Sequence, residues 1–299
     1  MTSWDDPAAA ARTMWTLFEP LHAVIYFCPE PRAAYEQAGL RGFWRGYFAG
    51  RAAPLGAVGP APVIATFFGF APQTVERALP DVWSRADPQT SLQARAAGAR
   101  AALTRLFDTL PIDSDGGDGG GGMNIADVAA TLRRAAESTR AAGRPLGAAN
   151  AHLPWPEDPV ETLWQAATVL REHRGDGHVA ALTVAGLDGC ESLVWRSAVD
   201  SDRSVLQPAR GWSDEEWEAA QQRLTDRGWL DGQGKATPAA FAARDRIEAS
   251  TDELASGPWA ALGPRETERL AALLAPLSKA AYAGLPYPNP IGLSQPADL

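Results

Sequence analysis

Apolar residues recur at helical spacing along most of the chain. Ala- and Leu-rich stretches with a period of about 3.6 residues cover 8–19, 92–107, 125–142, 160–173, 214–227, 239–255 and 264–283. Runs of β-branched residues, which favour strands, are scarce. The pattern therefore predicts a mainly α-helical protein.

A short β element is predicted near the end of the chain. Ser213 or Asp214 can cap a helix that ends before Gly228. After it, Trp229-Leu230-Asp231 and Lys235-Ala236-Thr237 fit two short strands joined by a tip at Gly232-Gln233-Gly234, and the next helix begins at Pro238. This order of helix, hairpin and helix is that of a winged helix, so the predicted fold is mainly α with short β wings.

One pattern occurs twice along the chain. Met14-Trp15-Thr16-Leu17 matches Leu163-Trp164-Gln165-Ala166, and Ala38-Gly39-Leu40-Arg41-Gly42 matches Ala185-Gly186-Leu187-Asp188-Gly189. Further on, Gly69-Phe70-Ala71-Pro72 matches Gly211-Trp212-Ser213-Asp214. Each match is short, but their order is the same in both halves. They predict an internal duplication, with a first winged-helix repeat at 1–147 and a second at 159–283.

Segments rich in glycine and proline separate these predicted repeats. Residues 148–158 are expected to form a Pro-rich linker, and 284–299, with four prolines, an extended tail that is either disordered or strapped across the surface. The stretch 111–122 has few side chains that could pack in a core and is predicted to be a mobile loop.

Composition and motifs narrow the class of protein further. No apolar run approaches the roughly 20 residues of a membrane span, and the N-terminus has no basic leader, so a cytoplasmic protein is expected. Cys28 and Cys190 form no CxxC pair, and nucleophile-elbow, P-loop and dinucleotide motifs are missing. We therefore predict no metal and no cofactor.

Two families share segments with this chain. The string RLTDRGWLDGQGKATPAAFAARDRIEASTDEL, followed by LGPRETERLAALLAPL, resembles the recognition helix, wing and dimerisation helices of MarR-type proteins. With EPLHAVIYF, RGFWRGYFAGRAAPLGAVGP and LREHRGDGHVAAL, the whole chain is similar to the SalK family of actinobacterial tandem winged-helix proteins. The resemblance implies an intramolecular pseudo-dimer, present as a monomer or a homodimer. It implies no activity.

The distribution of charge disfavours DNA as a partner. The net charge is -9, and residues 1–147 are balanced, so the whole excess of acid lies in the second half. From Asp214 to Leu230 the predicted recognition helix carries five acidic residues against Arg223 and Arg227, whereas DNA affinity needs cations that replace counterions. A lost DNA function on a retained fold is the favoured interpretation. A ligand-responsive DNA-binding regulator is the alternative.

The segment Arg171–His178 holds six ionisable groups within eight residues. We expect it to join a helix that ends near His173 to one that begins near Val179. In that position, an anion could bind at the second helix's N-terminus. His173 or His178 would act as general acid or base, oriented by Asp176. The alternative is a solvated turn capped by Asp176.

His22 follows Trp15 and Phe18 at helical spacing and is expected on a buried face. It is either a hydrogen-bonded core residue or part of a cavity between the repeats, which the loop 51–60 would cover as a lid or border as a packed turn. The expected function is binding of a small organic, potentially anionic, molecule, with non-redox acid–base catalysis in secondary metabolism as one form of it. The candidate catalytic residues are His173, His178, Asp176 and His22, and the candidate ligand-binding residues are Arg174, Arg171, Trp15, Tyr26, Trp164 and Arg51.

Overall fold

The computed structural model describes residues 3–111 and 123–293. Within them the chain forms fifteen α-helices and three short 3₁₀ turns. The helices are α1 (Pro7–Phe27), α2 (Pro29–Gln37), α3 (Phe43–Ala52), α4 (Pro60–Phe67), α5 (Pro72–Glu76), α6 (Pro88–Phe107), α7 (Ile125–Glu137), α8 (Pro145–Ala151), α9 (Pro159–Val184), α10 (Gly189–Val199), α11 (Arg203–Arg210), α12 (Asp214–Asp226), α13 (Pro238–Leu254), α14 (Gly257–Leu262) and α15 (Pro264–Tyr282).

Helix starts coincide with capping residues in the sequence. The side chains of Asp6, Asp87 and Asp158 each accept a hydrogen bond from a backbone N–H in the first turn of α1, α6 and α9, and proline follows each of them. Ser213 and Glu216 form a reciprocal capping box at the start of α12. The predicted helical character of the chain is confirmed.

The predicted β wings are wrong for the part of the chain that is described, which contains no strand. Between α12 and α13 a single antiparallel bridge joins Leu230 to Ala236. Asp231 closes the turn by accepting hydrogen bonds from the N–H groups of Gln233 and Lys235. Asp231 N–H donates to the Lys235 carbonyl and Thr237 N–H to the Trp229 carbonyl, both at 2.9 Å, but α13 begins at Pro238, which has no N–H to extend the ladder, so the pairing stops at one bridge.

The predicted turn between His173 and Val179 is also wrong, because α9 runs without a break through this segment. Glycine in a helix interior costs only about 1 kcal/mol relative to alanine, and burial of His173, Arg174 and Asp176 against neighbouring helices offsets that cost. The segment is therefore a buried part of a long helix, with no helix N-terminus for an anion.

The two longest helices, α1 and α9, pack against each other in the middle of the molecule. Helix α1 also packs on α15, α13 and α6, and α9 on α7, α8, α13 and α6. The main hydrophobic core draws on both halves of the chain, including Met14, Leu21, Leu163 and Leu274. A second core joins the end of α9 to α10, α12 and α13 around Trp195 and Trp217.

The predicted linker and tail are more ordered than their composition suggests. Residues 145–151 form α8, which packs on α9, so only 152–158 connect helices as an irregular segment. The tail is strapped to the body as far as Leu293, whose carbonyl accepts a hydrogen bond from the Tyr282 hydroxyl (3.1 Å). Of the loop predicted at 111–122, residues 112–122 lie outside the described residues, as do residues 294–299.

Candidate functional site

The ten predicted site residues fall into three places. Trp15, Arg171, Arg174 and His178 line one cleft. His22, Tyr26, Arg51 and Trp164 line a second pocket. His173 and Asp176 lie in neither lining and face α8.

The first cleft, which we call the arginine cleft, encloses about 1510 Å³ including its open mouth. Helices α1, α9, α10 and α13, the end of α11 and the tail segment 290–292 line it. Its walls carry six arginines against three acidic residues, so the lining is positive in a chain of net charge -9. The arginines are Arg12, Arg171, Arg174, Arg196, Arg210 and Arg244, and the acids are Glu19, Asp200 and Glu248.

Five of these arginines have carboxylate partners. Arg174 Nη1 lies 2.9 Å from Asp252 Oδ1, and Arg12 Nε donates to the other oxygen of the same carboxylate at 2.9 Å. Arg171 Nε donates to Glu19 Oε1 at 3.3 Å. Arg196 and Arg244 share Asp200, with N···O distances of 3.3 and 3.2 Å. These pairs fix the walls of the cleft.

Arg210 differs from the other five arginines. Its Nη2 donates to the Pro290 carbonyl at 3.0 Å, and its guanidinium lies 4.7 Å from the centre of the Phe70 ring. No carboxylate of the described chain lies within ion-pair distance of it. Burial is the main cause that lowers the pKa of Arg210, while nearby arginines act in the same direction. Its positive charge therefore has no matching negative charge in the cleft.

His178 adds a proton acceptor to this cleft. The Thr251 hydroxyl donates to the Ile247 carbonyl (2.8 Å), so it must accept from His178 Nδ1–H (3.0 Å). Nε2 is left as the acceptor nitrogen. Burial lowers the pKa of His178 to about 4, so the ring is neutral at pH 7. Thr251, and not Asp176, orients it.

His173 and Asp176 hold α8 against α9. The Gly147 N–H donates to Asp176 Oδ2 at 2.8 Å, and Arg144 donates to the His173 carbonyl at 3.0 Å. Burial raises the pKa of Asp176 to about 6 and lowers the pKa of His173 to about 4. The structure thus does not bring these two residues together with His178 around one cavity.

The second pocket, which we call the aromatic pocket, has a cavity volume of about 40 Å³ below an open mouth. Helices α1, α2, α3, α6 and α9 supply its walls. At its base, His22 is 3% exposed and stacks on Trp164, with ring centroids 6.2 Å apart. Burial lowers the pKa of His22 well below its ordinary value, so this histidine is neutral.

Glu172 lies between the two cavities and is 1% exposed. Arg51 donates to both of its oxygens, at 2.9 and 3.0 Å, and Arg171 Nη1 donates to one of them at 2.9 Å. Burial opposes ionisation, but the two guanidinium groups overcome it and hold the pKa of Glu172 far below its usual range. A chain of buried charges therefore joins Arg51 of the aromatic pocket to Arg171 of the arginine cleft.

Several of these side chains could not be predicted from the sequence. Glu172 lies just before the predicted turn, among charged residues, and carried no signal of burial there. Arg210 and Arg196 reach the cleft only because the turn after α11 and the tail pack over it. The one available signal of the cleft was the spacing of Arg244, Glu248 and Thr251 along α13. A spacing of three or four residues places polar side chains on one face of a helix.

The two turns that match in sequence lie against each other. Ala71 N–H donates to the Arg210 carbonyl (3.0 Å), and Trp212 Nε1 donates to the Gly69 carbonyl (2.9 Å). Gln73 Nε2 donates to Glu216 Oε2 at 3.2 Å, so the first turns of α5 and α12 touch.

Helix α12 presents acidic residues to solvent. Asp214, Glu215, Glu218 and Asp226 are exposed along it. Its last-turn cation, Arg223, is paired with Asp188 and Glu191 of the same chain. The outer face of this helix is therefore negative.

A family model described as a helix-turn-helix family matches residues 11–288 of the chain. Comparison with curated proteins and with solved structures finds no match. Across the described residues no helix is both long and apolar enough to span a membrane, and no group of three or more His, Cys, Asp or Glu side chains there could hold a metal ion.

Proposed function

The chain belongs to this helix-turn-helix family, and from that premise we propose that it binds a small organic anion in the arginine cleft. The observation that carries the proposal is Arg210, a half-buried guanidinium without a carboxylate partner among the described residues, lining a cleft large enough for an organic molecule. Partial removal of an unpaired charge from water is costly, and a bound carboxylate or phosphate would supply the missing partner.

The aromatic side chains of the cleft indicate an organic ligand. Trp15 and Trp195 both line it, and the Arg174 guanidinium lies 4.9 Å from the centre of the Trp15 ring. Ligand sites commonly combine such apolar walls with a few polar groups that fix orientation. If the protein is also a catalyst, His178 is the candidate general base, because its Nε2 is an acceptor and its ring lines the cleft.

Thermal unfolding in the presence of chemically defined anions tests the proposal. The probes are inorganic pyrophosphate, citrate and naphthalene-1,5-disulfonate, each compared with sodium chloride at equal ionic strength. A ligand at about 100 times its Kd stabilises the folded state by about 2.7 kcal/mol, and Arg210→Met should reduce that gain by about 1.3 kcal/mol or more, as expected for binding at least tenfold weaker. Arg133→Met, which removes an exposed arginine on α7 paired with Glu137, is the matched control. Equal stabilisation of both variants would refute a site at Arg210.

We also propose that the chain is a duplicated protein folded as a pseudo-dimer. In support, α1 packs on α15 and α13, while α9 packs on α7 and α6, which are the corresponding helices if the halves are equivalent. The caps agree as well: Gly39 and Gly186 both have positive φ, and Leu40 and Leu187 each donate back to the residue five positions earlier. The closer kinship to the MarR and SalK families belongs to the same proposal.

Reading of DNA by two lobes is the competing function, and family membership favours it. A two-fold reader places its recognition helices about 34 Å apart, in successive major grooves. Here the starts of α5 and α12 are joined by a hydrogen bond, α5 is only five residues long, and Thr74 and Val75 of α5 are buried. We therefore propose that the turns hold the halves together and that DNA binding has been lost.

A further inference from the structure

We infer that the aromatic pocket is a second binding site, which takes a planar molecule carrying a phenol-type hydroxyl group. This site goes beyond the proposed function, because it uses different side chains and a different ligand chemistry from the arginine cleft. The direction of the hydrogen bonds at its base and the shape of its walls define the ligand.

The hydrogen bonds of His22 run in one direction. The Thr168 hydroxyl donates to the Trp164 carbonyl (2.9 Å), as is usual for threonine within a helix, so it accepts from His22 Nδ1–H (2.9 Å). His22 Nε2 is then an acceptor, and the Tyr26 hydroxyl donates to it (2.8 Å). With its hydrogen used, Tyr26 can only accept a further hydrogen bond, so it offers lone pairs to a ligand.

Tyr47, in contrast to Tyr26, can donate a hydrogen bond to a ligand. Its hydroxyl oxygen accepts from Arg51 Nη1 at 3.3 Å, which leaves its own hydrogen to donate. The Tyr26 and Tyr47 rings are neighbours, with centroids 5.2 Å apart, and both line the pocket. A ligand hydroxyl can donate to Tyr26 and accept from Tyr47 together, whereas an ether or a carboxylate cannot make both bonds.

The walls fit a flat, apolar body. Ile25, Leu40, Phe43 and Trp164 line the pocket, and Phe43 is 47% exposed beside Trp44. Exposed neighbouring aromatic rings are unusual unless they meet a ligand or partner.

Hydrogen bonds within the protein already engage the arginines of the pocket. Arg51 is paired with both oxygens of Glu172. The Arg95 N–H groups are directed to the Gly50 carbonyl and to Asn150 Oδ1. Because the ligand hydroxyl must donate to Tyr26, the phenol is expected to bind in its uncharged form.

Fluorine NMR with 4-fluorophenol tests the inference, and 4-fluoroanisole, its methyl ether, is the matched probe without a hydroxyl hydrogen. The wild-type protein is expected to broaden and shift the 4-fluorophenol signal saturably, with a Kd at least fivefold lower than that for 4-fluoroanisole. Tyr26→Phe should weaken 4-fluorophenol binding about five- to tenfold, as expected for the loss of one hydrogen bond, and should leave 4-fluoroanisole unchanged. Tyr287→Phe, at a tyrosine that is 58% exposed, should leave the affinity for both probes unchanged.

A second variant covers the case in which Tyr26→Phe unfolds. Phe43→Ala removes an exposed ring at the mouth and should weaken both probes, whereas Phe241→Ala, at a ring that is 46% exposed elsewhere, should weaken neither. Equal affinity for the two probes, or insensitivity to Phe43→Ala, would overturn the inference. Arg210→Met should leave 4-fluorophenol binding intact, so failure of the proposed function and failure of this inference give different results.

Discussion

At the scale of single residues, burial determines which contacts a side chain makes, and Glu172 is the clearest case. Its spacing in the sequence gives no sign of burial, because the acidic and basic residues around it resemble a solvated turn. The structure buries it against Arg51 and Arg171 from different elements. Such contacts between distant parts of the chain cannot be predicted from local sequence. By contrast, the burial of His22 follows from its helical spacing with Trp15 and Phe18.

Glu172→Gln should destabilise the fold strongly. The substitution keeps the shape of the side chain but leaves two buried guanidinium groups without their shared counter-charge, a loss of about 3–5 kcal/mol. Urea unfolding followed by circular dichroism measures it. Glu137→Gln, which breaks an exposed pair with Arg133, should cost less than about 1 kcal/mol. Similar losses for the two variants would contradict the role assigned to Glu172.

Acid should destabilise the protein partly through His178. Its pKa is lowered to about 4 in the folded state, so the unfolded chain takes up the proton first as the pH falls. The contribution of His178 is complete above about pH 6.5 and is lost between about 6.5 and 4, at up to roughly 1.4 kcal/mol per pH unit. His173 acts in the same direction and Asp176, with its raised pKa, in the opposite one.

Replacement of His178 by glutamine checks this pH dependence. The free energy of unfolding, measured in urea at intervals from pH 7 to pH 4, should fall less steeply for His178→Gln than for the wild type. The difference in slope corresponds to as much as one proton. Parallel curves for the two proteins would show that His178 does not titrate between its folded and unfolded states as described.

At the scale of elements, capping residues made the starts of helices predictable. Tertiary packing, which local sequence does not show, determined the features that were predicted wrongly. The starts of α9, α12 and α13 at 159, 214 and 238 lie within one residue of those expected from capping and periodicity. The predicted break in α9 failed because Gly177 serves close packing against Arg144 and Leu254 instead of a turn, while Gly175 is tolerated inside the helix. The predicted wing failed because α13 begins at Pro238, directly after the single bridge, so the pairing cannot extend into strands.

The two glycines of α9 should respond in opposite ways to alanine. A Cβ at Gly175 would meet only Glu172 Oε2 at 3.8 Å, so Gly175→Ala should stabilise the helix by about 0.5–1 kcal/mol. A Cβ at Gly177 would overlap the Arg144 guanidinium, which donates to the His173 and Leu254 carbonyls. Gly177→Ala should therefore destabilise the protein by about 1 kcal/mol or more. Urea unfolding distinguishes them, and stabilisation by both substitutions would contradict the packing described.

At the scale of the whole molecule, the repeated pattern indicated two related halves, but it could not show how they meet. The contact between the turns at 69–73 and 210–216 depends on the approach of distant segments. The shared cavities depend on it too, because α1 and α9 supply walls to both. Local periodicity holds no information about this arrangement, whereas the acidic character of α12 could be read directly from the sequence.

Specific retention of DNA is not expected. Fragmented genomic DNA, applied with unrelated sheared DNA as the competitor, should show no enriched fragment at about 150 mM salt, because the exposed face of α12 is acidic and α5 is only five residues long, with Thr74 and Val75 buried. Enrichment of particular fragments that weakens steeply with added salt would support the competing function, a DNA-reading regulator.

Calorimetric titration of the full chain with the anion that gives the largest thermal stabilisation tests the central claim most directly. We expect saturable binding of one anion per chain in the arginine cleft, at least tenfold weaker in Arg210→Met and unchanged in Arg133→Met. Binding that is absent for every probe, or equally strong in Arg210→Met, would contradict an anion site at the arginine cleft.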